Sequence, residues 1–316
     1  MARTDERMKW LLGAKTPSIP YQARKDLRAG RLSAAQLRAA RARVMRSGAV
    51  PAILARQSEQ GNWRIDKRGF YGPKFYSTHW SMMLLAELGV EGSAPNFRRG
   101  AKYMLEATRD GVRNQLEKKA FHWSCLYGNI LRYAWKARRG RKPELERLID
   151  FCALAVSDAD CRCDWNGGRP CAWGIARTLW GLAAIPERLR TRAVRRSVRR
   201  GIKFLLEDHS LVKADYPVRR GGRINGMWFK LNFPLFYQAD ILFTLRVLDE
   251  LDALHHRRAH PALDWLEERR RPNGRWKGSS PFRRRTWREM GAPEETDRWV
   301  TLQALRILRH AGRTDG

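Results

Sequence analysis

One unit recurs about every fifty residues along this chain: an amphipathic stretch, a polar turn carrying a tryptophan, then an apolar helix. The clearest copies lie near the two ends. Gln57-Ser58-Glu59-Gln60-Gly61-Asn62-Trp63 precedes Ser77-Thr78-His79-Trp80 and the apolar run to Leu88. Pro272-Asn273-Gly274-Arg275-Trp276 precedes Asp297-Arg298-Trp299 and the apolar run to Leu308. A single unit of this length cannot bury its apolar face alone, so the period predicts a fold in which neighbouring units stack on one another.

The pattern predicts five helix pairs. Outer helices are expected near 47–57, 95–108, 143–156, 191–207 and 258–270, and inner helices near 77–89, 123–137, 171–184, 236–250 and 297–310. Leu85 and Leu88, Leu179 and Leu182, Leu245 and Leu248, and Leu305 and Leu308 keep a common i, i+3 register, which is helical spacing. Runs of β-branched or aromatic residues that would signal strands are missing, so the fold class is all-α. Nothing divides the repeats into two domains. Residues 1–46 depart from the pattern and read as an N-terminal helical extension, with Ser33 the cap of one helix, and 47–316 as the repeat domain.

The chain has 316 residues, enough for a large core, and 43% of them are hydrophobic. No apolar run reaches membrane-spanning length. The Trp10-Leu11-Leu12 patch is too short for a signal-peptide core, and the five cysteines are an odd number, so the chain reads as cytoplasmic and reduced. Lys and Arg number 63 against 32 Asp and Glu, a net charge of +31. Fourteen of the basic residues are lysine, so arginine dominates. Such a field attracts phosphorylated ligands, an anionic membrane surface or nucleic acid. The arginines are scattered over every outer helix, as in Arg195-Arg196-Ser197-Val198-Arg199-Arg200, which also fits solvated faces without a partner.

Gln57, Gly61 and Trp63 resemble the QW motif of squalene–hopene cyclases and related terpenoid cyclases, and the turn at Trp276 looks like the same motif without its glutamine. The unit as a whole is similar to the α/α toroid of those cyclases and of protein prenyltransferase β subunits. The resemblance covers roughly residues 47–310. It implies about five outer–inner helix pairs around a central cavity lined by inner-helix starts. It also implies an isoprenoid or other apolar substrate, with a diphosphate held by arginines, and general-acid or carbocation chemistry. The cyclases' acidic motif has its nearest counterpart in Asp158-Ala159-Asp160-Cys161, which ends in cysteine and follows an outer helix. The prenyltransferases' zinc motif of Asp-x-Cys is not kept.

Polar and aromatic residues crowd the inner-helix starts. On the leucine register His79 and Cys125 match Trp173 and Trp299, while Cys171 and Asp297 match Trp123 and Tyr237. Trp80, Trp123, Tyr127, Trp173, Tyr237, Trp299 and Arg298 are therefore candidate substrate contacts, since aromatic faces stabilise cationic intermediates. The same tryptophans also suit wedges between repeats. Asp240, among Phe233, Phe236, Tyr237 and Phe243, is the candidate acid, assisted by His79 or Asp297. A helix-capping role for Asp240 fits equally. Cys125, Cys163, Cys171 and His122 form a candidate metal set of thiolates and an imidazole. The cofactor is not identified by the sequence, and Zn2+ and Mg2+ are the two candidates. The alternative function is a non-catalytic basic scaffold for nucleic acid or another polyanion.

Overall fold

The computed structural model describes residues 2–27, 33–137, 143–290 and 292–313. Among them the architecture is all helical, and no strand forms beyond isolated bridges. The N-terminal segment folds as α1 (Ala2–Leu12), α2 (Ser18–Asp26) and α3 (Ala34–Arg46). Ser33 caps α3 through a reciprocal box: its Oγ accepts from Gln36 N at 3.2 Å, and Gln36 Oε1 accepts from Ser33 N at 2.9 Å.

Helices of two environments then alternate. The expected outer helices are α4 (Ala49–Leu54), α6 (Pro95–Glu117), α8 (Pro143–Ser157), α10 (Arg192–Lys203, continued by a π turn at Phe204–Asp208) and α12 (His260–Glu268). The expected inner helices are α5 (Thr78–Glu87), α7 (Ser124–Ala137), α9 (Ala172–Ala183), α11 (Ile241–Glu250) and α13 (Glu294–His310). Helix α11 starts later than its periodicity suggests. Residues 236–239 stay outside the helix, and Asp240, whose backbone is extended, caps it with its side chain.

The inner helices touch in chain order: α5 on α7, α7 on α9, α9 on α11, α11 on α13. Helix α13 packs on α2, and Gln22 of α2 donates to the Glu87 carbonyl at the end of α5. The outer helices α6, α8 and α10 pack on one another and on α7 or α9. Helices α7 and α9 approach most closely at Gly128 and Gly181. A Cβ on Gly128 would lie 2.5 Å from the Thr178 Cα, and one on Gly181 would strike the Gly128 carbonyl. Only glycine permits that backbone contact.

The tryptophan turns are built alike in the first and last repeats. Gly61 (φ +92°) donates to Ser58 O and Gly274 (φ +74°) to Arg271 O, closing equivalent turns that need a left-handed residue. Trp63 Nε1 donates to Ile53 O of α4, and Trp276 Nε1 to Leu266 O of α12, both at 2.7 Å. Each indole thus bonds a carbonyl in the last turn of an outer helix, one that also accepts from the backbone amide three residues on, Arg56 N or Arg269 N. The Trp63 amide donates to Thr78 Oγ1 and the Trp276 amide to Thr301 Oγ1, both at 3.0 Å, which ties each turn to its inner helix. Gln57 Nε2 bridges Gly61 O and Asn96 O, joining the first turn to the start of α6.

These threonines are buried, so Thr78→Val or Thr301→Val leaves an unpaired buried amide. Each should lower stability by about 1–3 kcal/mol. Urea unfolding should show the midpoint falling with an unchanged slope, while the Ser variants keep most of the stability.

Candidate functional site

The C-terminal halves of α5, α7, α9 and α11 converge with α2 and α13 on a cavity of about 420 Å³. Its walls mix Trp135, Trp180 and Leu302 with an unusual density of charge. Two arginine–glutamate pairs span it. Arg132 of α7 grips Glu250 of α11 with both guanidinium nitrogens at 2.5 and 3.0 Å, and Arg246 of α11 grips Glu87 of α5 at 2.9 and 2.6 Å. Arg306 of α13 reaches Asp249 at 3.0 Å and Asp26 at 3.6 Å. Burial pushes the Glu250 carboxyl up, but Arg132 and Arg246 more than offset it and hold it below its ordinary value.

Three further cations face the same space: Lys25, Arg41 and Lys136. Lys25 lies 3.4 Å from Asp26, which Arg306 also contacts. Arg41 sits 5.7 Å over the Tyr21 ring, and its buried Nε has no hydrogen-bond partner. Burial pulls the Lys136 ammonium down to about 8, and the neighbouring charges of Arg132, Arg41 and Lys25 push it the same way. The cations thus outnumber the acids at this end, six in the cavity wall against Asp26, Glu87 and Glu250.

Deeper along the same helices the polar groups change character. Arg177, one turn before Trp180 on α9, is fully buried and lies 3.8 Å from the centre of the Phe243 ring. Its Nε donates to Gln238 O at 2.8 Å and Nη2 donates to the same oxygen, while Nη1 has no partner. Burial lowers its guanidinium to about 9. Neither the amide nitrogen nor the oxygen of Asn129 is hydrogen-bonded, although Asn129 is buried. His79 has Nδ1 3.3 Å from the Tyr133 hydroxyl and an unpartnered, buried Nε2. Burial, helped by the Arg177 charge, pulls the imidazole down to about 3, so it is neutral at physiological pH.

At the inner-helix starts, the expected aromatic residues pack on each other. Trp80 donates its Nε1 to Tyr71 O at 2.9 Å and makes ring contacts with His79, Phe236 and Tyr237. Trp173 meets Tyr237 edge-on at 6.4 Å, and Lys74 lies 5.4 Å over the Tyr237 ring. His79, Trp80, Trp173 and Tyr237 therefore belong to one cluster.

Other expected contacts lie elsewhere. Tyr127 turns outward, packing at a tilt on Phe151 of α8 and accepting from Gln115 of α6, because the apolar outer layer supplies its ring with partners. Trp299 stacks on Phe233 at 4.3 Å, and Trp123 is 53% exposed. Asp297 accepts from Gly278 N at 2.7 Å. Arg298 donates to Trp10 O and pairs with Glu295 at 3.3 Å, clamping α1 to α13.

Asp240 is completely buried with both oxygens engaged. Oδ1 accepts from Phe243 N at 2.7 Å; Oδ2 accepts from the amide and side chain of Asn232, each at 2.9 Å. Burial still raises its carboxyl to about 6 against those hydrogen bonds. Among the described residues no three His, Cys, Asp or Glu side chains are arranged to hold a metal. The expected set of Cys125, Cys163, Cys171 and His122 does not form such a group: Cys171 Sγ accepts from Gly174 N at 3.4 Å, and His122 Nδ1 lies 3.1 Å from Asp164. These donors do not fit Zn2+ or Mg2+. Among the described residues no helix is long and apolar enough to cross a membrane.

Comparison of the chain with protein-family models, with curated proteins and with solved structures returns no match.

The charged cavity end was not anticipated, although the sequence marks it. Arg132 and Lys136, and Arg246 and Glu250, stand four residues apart on otherwise apolar inner helices, so each pair shares a face. Because the Asp240 carboxyl is raised in the folded protein, it binds a proton there after the unfolded chain has lost its own. Stability is then highest below the unfolded value of 3.8 and falls as pH rises toward about 6, by roughly 3 kcal/mol if no other group compensates. Asp240→Asn should flatten unfolding midpoints across pH 4 to 6 (approximate window from the same shift) while lowering their maximum.

Proposed function

We propose that this chain is an α/α toroid whose central cavity binds an organic anion at the C-terminal ends of the inner helices. In this reading α2, α5, α7, α9, α11 and α13 form the inner barrel, and residues 1–46 complete the repeat domain instead of preceding it. What supports the arrangement is the order of contacts, which runs from α5 through α13 to α2 and returns through Gln22 to the end of α5.

The observation that carries the function is the group of Lys25, Arg41 and Lys136, facing one cavity beside two completed arginine–glutamate pairs. Inner-helix C-termini carry about half a negative charge each, which helps to hold these cations in place. Part of that helix-end charge is already met by Arg132 on Trp180 O and Gln22 on Glu87 O. A ligand carrying a phosphate, diphosphate or carboxylate would favour the protonated form of Lys136, and Trp135, Trp180 and Leu302 would cover an attached apolar group. The isoprenoid-diphosphate class implied by the cyclase resemblance satisfies this description. The acid chemistry implied by the same resemblance has less support, since both Asp240 oxygens are occupied and His79 is held neutral.

Calorimetry with inorganic pyrophosphate and with geranyl diphosphate tests the reading. Both should bind, the prenyl compound more tightly, and affinity should rise as pH falls through about 8, where Lys136 takes up its proton. Lys136→Met and Arg41→Met should each weaken binding about tenfold, the loss of one good charge contact. Absence of binding at low salt, or full affinity in both variants, would sink the proposal.

The polyanion-scaffold reading rests on a separate observation: Arg192, Arg195, Arg196 and Arg199 of α10 are exposed on its outer side. Nucleic acid bound there would show steep salt dependence and be indifferent to Lys136→Met.

A further inference from the structure

The loops that precede the inner helices carry a feature that the anion cavity does not use. The long loop before α11 forms a groove of about 650 Å³, closed on one side by Arg169 from the strap 163–171 before α9. The floor of the groove is fixed by aromatic packing. Tyr216 is buried, donates its hydroxyl to Leu205 O at 3.0 Å and meets the Trp228 ring edge-on at 5.2 Å. Trp228 Nε1 in turn donates to Leu211 O at 2.8 Å. The strap is closed on itself, with Cys163 N donating to Arg169 O at 3.1 Å and Gly168 N to Cys163 O at 3.0 Å. Asn166 joins strap to loop: its Nδ2 donates to Pro217 O at 2.9 Å, and its Oδ1 accepts from Arg219 N at 3.0 Å. Both walls are thereby held without any partner.

Charge and exposed aromatic surface coincide here. Arg169, Lys213 and Arg223 line the groove against one acid, Asp215, whose Oδ1 already accepts from Ser210 N at 2.8 Å. Arg219 and Arg220 extend the row of cations on the turn between, and all five are exposed. Among the described residues none of the five is ion-paired with an acid. Four large hydrophobic side chains are exposed among the described residues, and three of them stand on these loops: Trp165 at 83%, Trp123 at 53% and Phe229 at 37%. Phe229 lines the groove, and Trp165 precedes Asn166 on the strap. Trp123 adjoins them because His122 Nδ1 lies 3.1 Å from Asp164. Trp63, Trp80, Trp228, Trp276 and Trp299 are fully buried, so an exposed indole is not the habit of this chain. A cluster of exposed aromatic rings marks a surface made to be covered.

We propose that this groove binds single-stranded nucleic acid, with phosphates along the row of cations and bases stacked on Trp165 and Phe229. Four of the five cations are arginines, whose planar fork matches a phosphate. An exposed indole or phenyl ring offers a stacking face to any base, so little sequence preference is expected. The other occupants of a basic surface use less of what is present. A duplex keeps its base faces stacked inside, where Trp165 gains nothing from them. A lipid surface is flat and leaves the groove unfilled. An acidic peptide answers the cations but not the exposed rings. The site shares no residue with the anion cavity or with the exposed arginines of α10, so it stands or falls independently of both.

The test is fluorescence anisotropy of the intact chain with labelled oligo(U) and oligo(dT) of about ten nucleotides, repeated over a range of salt. Both should bind, and more tightly than a duplex of the same length. Trp165→Ala and Phe229→Ala should each weaken binding about tenfold with the salt slope unchanged, and Trp165→Phe should keep most of the affinity. Arg169→Gln and Arg219→Gln should each reduce the slope of log affinity against log salt by about 0.7, the counterion release expected for one phosphate on a single strand. The replaced side chains are exposed, so these variants should fold. Four outcomes would overturn the proposal: no binding at low salt, equal affinity for duplex that none of these variants alters, tighter binding to phosphatidylserine vesicles than to either oligomer, or loss of oligomer binding in Lys136→Met, which would put the strand in the anion cavity.

Discussion

Two arginine–glutamate pairs hold together helices that are not neighbours along the packing order. Arg246 joins α11 to α5, and Arg132 joins α7 to α11, both across the charged cavity. A buried ion pair is expensive to desolvate, and its net contribution is small when both partners are present. Its importance lies in the asymmetry: removing one partner leaves a buried charge and costs about 3–5 kcal/mol. Each carboxylate is held by both nitrogens of an arginine fork, so the pairs fix helix orientation as well as separation. Trp180 lies against both guanidinium groups, at 4.9 Å from Arg132 and 5.6 Å from Arg246, and shields them from water.

The two ends of the inner helices consequently differ in chemistry. At their starts, aromatic side chains around Trp80 and Tyr237 fill the space, and Asp240 and Thr78 satisfy backbone amides. At their ends, carbonyls and charged side chains surround a cavity. Arg177 and Asn129, between the ends, and His79, at the start of α5, are buried polar side chains with unpartnered atoms. Buried polar groups are usually hydrogen-bonded, so three such residues along one set of helices set this interior apart from an ordinary apolar core.

Much of this was legible from spacing. The period placed ten helices close to their observed positions, and the QW turn identified the residue that knits the outer helix to its inner partner in the first and last repeats. The Trp63 and Trp276 bonds are equivalent even though the second turn lacks the glutamine. Periodicity says less about direction within a crowded helix start. Trp123 and Trp173 share the polar segments before inner helices, yet one is exposed and the other packs on Tyr237, because loop geometry sets the outcome; Trp123 itself has φ +56°. Tyr127 turns outward for a similar reason, since its partners Phe151 and Gln115 stand on the flanking helices α8 and α6. Asp240 is buried and its carboxyl is raised by that burial, as its apolar sequence neighbours suggest. Its engagement with Asn232, eight residues earlier, depends on a loop conformation that no pattern encodes.

The sequence by itself determined the helical class, the repeat, the tryptophan turns and the apolar faces, because these follow from local periodicity and from hydrogen bonds made within one repeat. Tertiary structure alone decided which charges meet. Arg246 and Glu87 are 159 residues apart and Arg132 and Glu250 are 118 apart, and Lys136 faces Arg41 only because α7 is brought near α3. Electrostatic energy depends on distance in space, not along the chain, so the cavity that these groups form comes into being only when the helices pack.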